Sequence, residues 1–325
     1  MWNVLVCGGA GYIGSHMSQW LADQGHSVTV LDNLSTGHRQ AVKWGELIQA
    51  DLLDEASLAP VFAKRTYDVV MHFAAKSLVA ASVDDPLTTY QNNVTGTLNL
   101  LAQMRRQDVG KLVFSSTAAV FGQSPMVLID EQQPMHPITP YGSSKLMVER
   151  ILADAWMAYG LSSVSLRYFN AAGALAEHGI GEAHVCETHL IPNALRAAAG
   201  RAPPLKVFGT DYPTEDGTCI RDYLHVQDIA SAHALAVSFL ERSPGAHQFN
   251  LGSEQGYSVM DIVAAAEQVV GRPVPFELVG RRPGDPARLV ASSAKARHVL
   301  GWRCQWQNMT SIIDSAWRWH RAQIF

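Results

Sequence analysis

Val4-Leu5-Val6-Cys7-Gly8-Gly9-Ala10-Gly11-Tyr12-Ile13-Gly14 decides the fold of this 325-residue chain. A short apolar run passes directly into glycines, and a helical pattern follows without a gap. Glycine lets the backbone turn tightly and come close to a pyrophosphate, while a helix N-terminus offers free N–H donors and the positive end of its dipole. Glycine-rich turns also occur without a ligand. Here strand, turn and helix agree at Gly8, Gly11 and Gly14. Asp32 closes the next apolar run, where a carboxylate accepts hydrogen bonds from an adenosine ribose. A 2'-phosphate beside Asp32 would be repelled unless Arg39, in the loop that follows, compensated, so NAD is preferred over NADP.

Working outward, β-branched runs alternate with longer helical patterns, the sign of βαβ units and a parallel sheet buried on both faces. Strands are predicted at Val4 to Cys7, Val28 to Leu31, Val69 to Phe73, Leu112 to Phe114 and Val164 to Leu166. Helices are predicted near Tyr12 to Gln24, Ala56 to Phe62, Thr88 to Gln107 and Ser143 to Tyr159, the first closed by Gly25. After Asn170 the sequence turns irregular and Pro/Gly-rich, with Pro192, Pro203, Pro204, Pro213, Pro273, Pro275, Pro283 and Pro286 punctuating shorter elements. The expected fold is α/β: a Rossmann-type doubly wound parallel sheet over residues 1–170, and a smaller α/β substrate-binding lobe over 171–325. The segment around 220–240 again reads as strand or turn followed by helix and is expected to return to the first domain.

Composition narrows the function classes. With 47% apolar residues the chain can bury a substantial core, and its formal net charge of −4 comes without a long Lys/Arg block, which argues against a sequence-independent grip on nucleic acid. The four cysteines, Cys7, Cys186, Cys219 and Cys304, are far apart and form no Cys-x-x-Cys pair, so neither a disulfide framework nor a zinc knuckle is expected. No secretory leader and no membrane span is read from the sequence, and a reducing cytoplasm is the expected location.

Tyr141-Gly142-Ser143-Ser144-Lys145 sets a phenol and an ammonium four residues apart, on one face of a helix. An ammonium and a bound nicotinamide cation both favour phenolate, which lets Tyr141 take a proton from a hydroxyl. The same spacing arises on ordinary solvated helices, so context matters. Upstream, Lys111-Leu112-Val113-Phe114-Ser115-Ser116-Thr117 is a strand running out into hydroxyl residues, and ligands of open parallel sheets gather at strand C-terminal ends. Thr117 is placed to donate to a substrate hydroxyl.

The glycine fingerprint, the strand-end Ser/Thr and Tyr-x-x-x-Lys together resemble the extended short-chain dehydrogenase/reductases, over nearly the whole chain. Within them, Gly8 to Ser15, Asp32-Asn33-Leu34, His72-Phe73-Ala74-Ala75 and Asn92-Asn93-Val94-Thr95-Gly96-Thr97 are similar to the UDP-glucose 4-epimerases. In the second half, so are Arg167-Tyr168-Phe169-Asn170, Gly209-Thr210-Asp211-Tyr212-Pro213-Thr214-Glu215-Asp216-Gly217-Thr218, Arg221-Asp222-Tyr223 and Arg281-Arg282-Pro283-Gly284-Asp285. The resemblance implies a tightly held NAD, reduced and reoxidised within one cycle that interconverts UDP-glucose and UDP-galactose through a 4-keto sugar. Tyr141 would take the C4 hydroxyl proton, Thr117 would bridge by hydrogen bonds and Lys145 would orient the cofactor ribose. By the same implication Tyr12, Ile13, Asp32, Asn33, Asp51, Leu52, Phe73, Ala74, Asn92 and Phe169 line the NAD site. Asn170, Leu195, Phe208, Arg221, Arg282 and Asp285 meet UDP, Arg suiting a diphosphate and Asp285 the uridine ribose. A homodimer is implied through the helices near Thr88 to Gln107 and Ser143 to Tyr159.

Some positions depart from that pattern or carry a plainer reading. Thr117 stands where many of these epimerases carry Ser, and Ala194 replaces an Asn used toward UDP by some, with Asn193 adjacent. Leu289 is intermediate between the bulky Tyr that excludes N-acetylated sugars and the small residue that admits them, leaving UDP-N-acetylhexosamine and UDP-pentose as alternative substrates. Arg221 beside Asp222 also reads as a simple ion pair. His184, Cys186 and His189 lie close in sequence, but two His and one Cys without a fourth ligand read as an ordinary loop, so no metal is expected. Trp302, Trp306, Trp317 and Trp319 are expected to pack the last helix. A 4,6-dehydratase would need acid/base carboxylates where Ala118 and Ala119 follow Thr117, and a non-catalytic NAD-binding protein would have no use for intact Thr117, Tyr141 and Lys145.

Overall fold

A computed structural model describes residues 1–124, 126–282, 285–322 and 325; Pro283 and Gly284 of the Arg281-to-Asp285 motif lie outside the described residues. The first half forms β1 (Asn3–Cys7), α1 (Tyr12–Asp23), β2 (Ser27–Asp32), β3 (Glu46–Gln49), α2 (Glu55–Lys64), β4 (Val69–His72), α3 (Val79–Asp84), α4 (Pro86–Tyr90), α5 (Gly96–Arg106), β5 (Lys111–Thr117), α6 (Pro140–Tyr159) and β6 (Ser162–Tyr168). The second half adds β7 (Asn170–Ala172), α7 (Leu190–Ala198), β8 (Leu205–Phe208), β9 (Ile220–Arg221), β10 (Tyr223–His225), α8 (Val226–Leu240), β11 (Ala246–Leu251), β12 (Tyr257–Ser258), α9 (Val259–Val270), β13 (Phe276–Val279), β14 (Arg288–Leu289) and α10 (Met309–Ala322).

Seven strands form one sheet in the order β11-β6-β5-β4-β1-β2-β3, every pair parallel. The alternation of side chains along a strand sorts the sequence into two cores. Val4, Val6, Val28, Val30 and Val69 face α1 and α8, where Met17, Leu21 and Ile229 meet them. Leu5, Cys7, Leu31, Val70 and Phe114 face α2, α5 and α6, where Leu58, Leu100 and Val148 complete the packing. A doubly wound α/β sheet results. The strand order reverses between β1 and β4, and that switch point is where the crevice for a ligand opens at the strand ends.

The segment around 220–240 supplies α8, which packs on α1 in the same apolar core, and β11 pairs with β6 from Ala246 opposite Ser163 to Leu251 opposite Tyr168. The smaller lobe has its own core of α7, α9 and α10 residues such as Leu195, Ile262 and Ile313. Two small sheets, β12-β9-β14 and β13-β8, sit in it. The tryptophans divide differently from expectation. Trp319 is buried on the last helix, but Trp302 is buried against α8, with Nε1 donating to Asp228 O at 2.9 Å, and Trp306 stacks on His225 at 3.9 Å. Large aromatics close several cores here, because the chain crosses from one lobe to the other at its end. Among the described residues, no helix is long and apolar enough to cross a membrane.

Candidate active site

The glycine turn leaves no room for side chains. Gly8 has φ +79°, and a Cβ there would lie 2.6 Å from Ala74 N; a Cβ on Gly14 would lie 2.2 Å from Gly8 O. Those two contacts hold β1, the turn and α1 close together, with Ala74 following directly on Phe73 past the end of β4. Tyr12 and Ile13 open α1, and Tyr12 OH donates to Gly173 O at 2.6 Å. Asp32 is buried at the end of β2. Its Oδ2 accepts from Ala10 N at 2.9 Å and its Oδ1 from Leu34 N at 2.8 Å. Burial pushes its carboxyl up, and the two backbone N–H donors pull it back. Asp32 thus ties the glycine turn to the loop after β2, and its free lone pairs remain for a ribose. Beside it Asn33 Nδ2 donates to Asp51 Oδ2 at 3.0 Å, and Leu52 packs under Gly96. Asn92 donates to Asn93, which is braced by Lys76 and Ser144. The cradle that a Cβ would fill and the anchored carboxylate fit a dinucleotide.

At the end of β5, Thr117 Oγ1 accepts from Ala119 N at 3.1 Å and turns the chain outward. Helix α6 begins with Pro140 and the cap Thr139, whose Oγ1 accepts from Gly142 N at 3.2 Å. A Cβ on Gly142 would lie 2.5 Å from Ala119 O, so only glycine lets the first turn of α6 sit against the turn after Thr117. That close approach brings Tyr141 to Thr117. Burial pushes the Tyr141 phenol up to about 12, partly offset by its hydrogen bond with Thr117. Burial lowers Lys145 to about 7, with Glu149 acting in the opposite direction. Lys145 Nζ donates to Ser115 O at 2.8 Å and stands 4.6 Å above the Phe114 ring, 5.9 Å from the Tyr141 ring. The phenol is therefore not drawn toward neutrality by the protein alone, because Lys145 faces the strand carbonyl.

Sequence reasoning did not find the support beneath this pair. Glu149, one turn beyond Lys145, is buried and accepts from Arg167 Nε at 2.9 Å and from Ser116 Oγ at 2.5 Å. The Ser115 hydroxyl bonds to Tyr168 OH. Gly142 carried a readable signal, a glycine directly after the tyrosine at a helix start. Glu149 on the buried face of a helix and Arg167 inside a strand were the signals for the pair, legible only once β5, β6 and α6 are in contact.

On the lobe side, Asn170 Nδ2 donates to Asp222 O at 2.8 Å. Arg221 pairs with Asp285, not with the adjacent Asp222. Asp222 is fully buried, accepting from Ser253 N at 2.9 Å and Ala291 N at 3.2 Å, and burial pushes it up to about 6. Arg282 stacks 3.8 Å over Phe208, and Leu289 lies opposite Arg221 in the β9–β14 pair. Phe169 and Leu289 both pack on a small cluster of Val120, Phe121, Ile129 and Leu146, which links the end of β5 to the lobe. Leu195 stands apart from these, fully buried in the lobe core, as is Ala194, while Asn193 Nδ2 donates to Glu187 O at 3.3 Å. His184 and His189 meet Glu182 and Glu187, whereas Cys186 is exposed.

A family model described as "NAD dependent epimerase/dehydratase family" matches residues 4–252. A UDP-glucose 4-epimerase of Halalkalibacterium halodurans is 47% identical over 318 residues, 98% of this chain and 95% of that one. One from Rhizobium leguminosarum bv. trifolii is 49% identical over 318 residues, 98% of this chain and 97% of that one. The crystal structure of UDP-glucose 4-epimerase from Brucella ovis in complex with NAD superposes with a TM-score of 0.94 at 47% identity, covering 97% of each chain.

Proposed function

The chain belongs to the NAD-dependent epimerase/dehydratase family, and from that premise we propose that it is a UDP-glucose 4-epimerase, interconverting UDP-glucose and UDP-galactose through a 4-keto sugar. The observation that carries the reading is the meeting of Tyr141 and Thr117 at the end of β5, beside a glycine cradle that fits NAD. NAD, when bound, supplies a reversible hydride acceptor. Gly8, Gly11, Tyr12, Ile13 and Gly14 would hold its pyrophosphate, and Asp32, Asn33, Asp51 and Leu52 its adenosine half. Phe73, Ala74, Asn92 and Phe169 would complete its walls.

Tyr141 acts as the base toward the C4 hydroxyl. Its phenol stays protonated in the protein alone, so proton removal is favoured only when positive charge is brought beside it. Thr117 holds the reacting hydroxyl in line with the phenol. Lys145, lowered to about 7 by burial, is the group to supply an ammonium and hydrogen bonds to a cofactor ribose, a role in which it would exchange its bond to Ser115 O. Arg221, Arg282, Asp285, Phe208 and Asn170 are proposed for the UDP end, whereas Leu195, expected there, is closed into the lobe core. Arg221 and Arg282 are the diphosphate partners, since a planar guanidinium binds phosphate oxygens in pairs. Tyr141 then returns the proton to the C4 oxygen of the keto sugar; with the hydride that bound NAD would give back to the opposite face of C4, the inversion closes with no net redox change.

Purified protein incubated with UDP-galactose and no reductant should yield UDP-glucose, and Tyr141→Phe should lower turnover by about 10³-fold, within the range for loss of an acid/base group, while bound NAD is retained. Unchanged turnover in Tyr141→Phe would remove the assignment. Parallel assays with UDP-N-acetylgalactosamine and UDP-arabinose read what Leu289, half-buried beside Arg221, admits.

A homodimer through α5 and α6 is part of the proposal. Leu98 on α5 and Met147, Met157 and Tyr159 on α6 are exposed apolar side chains on the single chain, as a helix-to-helix interface requires. Light scattering tests it, a strictly monomeric mass speaking against. A reducing cytoplasm agrees with four free cysteines.

A further inference from the structure

Between β7 and α7 the chain passes through Glu182, Ala183, His184, Val185, Cys186, Glu187, Thr188 and His189. Sequence spacing pairs the two histidines with Cys186, but the fold turns Cys186 outward and brings two carboxylates in. One ligand atom from each of Glu182, His184, Glu187 and His189 lies within 4.8 Å of the other three. His184 Nδ1 is buried and has no hydrogen-bond partner. It stands 3.4 Å from Glu182 Oε1 and 3.4 Å from Glu187 Oε2, and His189 Nδ1 stands 3.8 Å from Glu187 Oε1. Donors bonded to one tetrahedral zinc ion at about 2.0–2.1 Å are separated by about 3.3–3.4 Å, which is the spacing of His184 from both carboxylates, whereas His189 has to turn to reach it.

We propose that Glu182, His184, Glu187 and His189 form a divalent-cation site, with zinc as the ion their donors fit, distinct from the proposed catalytic centre. Two imidazole nitrogens and two carboxylate oxygens suit zinc, whereas calcium and magnesium take oxygen ligands. The two carboxylates balance the charge of a dication. The direct contact of His189 with Glu182 has to open, by side-chain rotation, to admit the ion, and Glu187 would bind through Oε2, because its Oε1 accepts from Thr188 N at 2.8 Å and His189 N at 2.9 Å. Entry is available: Glu182, His184 and Glu187 line a cleft of about 330 Å³.

The site's role is that of a clamp. Glu182 O accepts from Trp319 Nε1 at 2.9 Å, which fastens α10, and Ala183 O bonds His38 Nε2 at 2.8 Å, which reaches the first domain. Glu187 O holds Asn193 of α7. One ion would fix a loop that touches all three.

The full chain with its bound NAD, stripped by chelator, should take up one zinc ion per chain by calorimetry, with the thermal midpoint rising on addition and calcium failing to compete. His184→Gln and Glu187→Gln should each weaken zinc by more than about tenfold, the scale on which even outer-shell changes act. Cys186→Ser should leave it unchanged. Cobalt(II) should give the visible absorption of a tetrahedral site in the unaltered chain, a readout that survives if a variant misfolds. No saturable zinc uptake, no tetrahedral cobalt band, equal affinity in both variants, or loss of binding in Cys186→Ser would each overturn the proposal.

Discussion

Gly8 shows how narrow the tolerance of the site is at the level of one residue. Its φ of +79° is a left-handed conformation that costs an L side chain about 1–2 kcal/mol, and a Cβ would press into Ala74 N at 2.6 Å, where backbone cannot yield cheaply. Gly8→Ala should therefore destabilise the fold by about 1–3 kcal/mol and weaken NAD by more than about tenfold, measured by chemical denaturation and by cofactor retained on gel filtration. Retention at the level of the unaltered chain would mean that the turn is not the cradle. The glycines were legible in the sequence because a bare backbone is a strong signal. Tyr141, Lys145 and Thr117 were legible as a spacing, but the raised Tyr141 phenol was not: its surroundings come from β5, α6 and Thr117 together.

At the level of elements, α9 is fastened at its N-terminus by a capping box. Ser258 Oγ accepts from Asp261 N at 3.0 Å, Asp261 Oδ2 accepts from Ser258 N at 2.8 Å, and the same hydroxyl donates to Asp216. Ser258→Ala should cost about 1–2 kcal/mol, from the cap and from the carboxylate left short of a donor, read as a lower urea midpoint at unchanged slope. A shift within error would show that water replaces the hydroxyl. Most of the sheet could be read in advance, since β1, β2, β4 and β5 carry apolar residues toward both faces and β6 carries Val164 and Leu166 toward one. Two strands escaped. β3 (Glu46–Gln49) and β11 (Ala246–Leu251) are the two edges of the sheet; β3 is half-exposed, and β11 begins Ala-His-Gln, too polar at its start to stand out as a strand. Their strand character comes from pairing with β2 and β6, a tertiary contact that local propensity does not carry. The same reason hides the four-residue cluster at 182–189: its carboxylates face the histidines only because the loop folds back.

Over the whole molecule the buried histidines set the response to acid. Burial holds His16 and His233 down to about 4 and His72 and His225 down to about 3, against an ordinary 6.5. The unfolded chain takes up these protons first as pH falls, so the contribution is present above 6.5 and is lost on going down through the folded values. Asp222, pushed up to about 6, works the other way: its share is present at low pH and lost as pH rises through 6. His320, also held to about 4, adds to the histidines, while Asp32 and Asp228, raised by burial, act with Asp222; the larger histidine shifts leave a net loss as pH falls from 6.5 to 4. The thermal midpoint should fall steadily below pH 6.5, and a flat profile from pH 7 to 5 would contradict it. The placement of β11 has a consequence for synthesis. The sheet edge at β6, complete at Tyr168, waits for a strand that ends at Leu251, 83 residues later. At about 5–20 residues per second, a ribosome leaves that edge uncovered for about 4–17 seconds, during which the nascent first domain offers an unpaired strand to any chaperone or neighbouring polypeptide that reaches it.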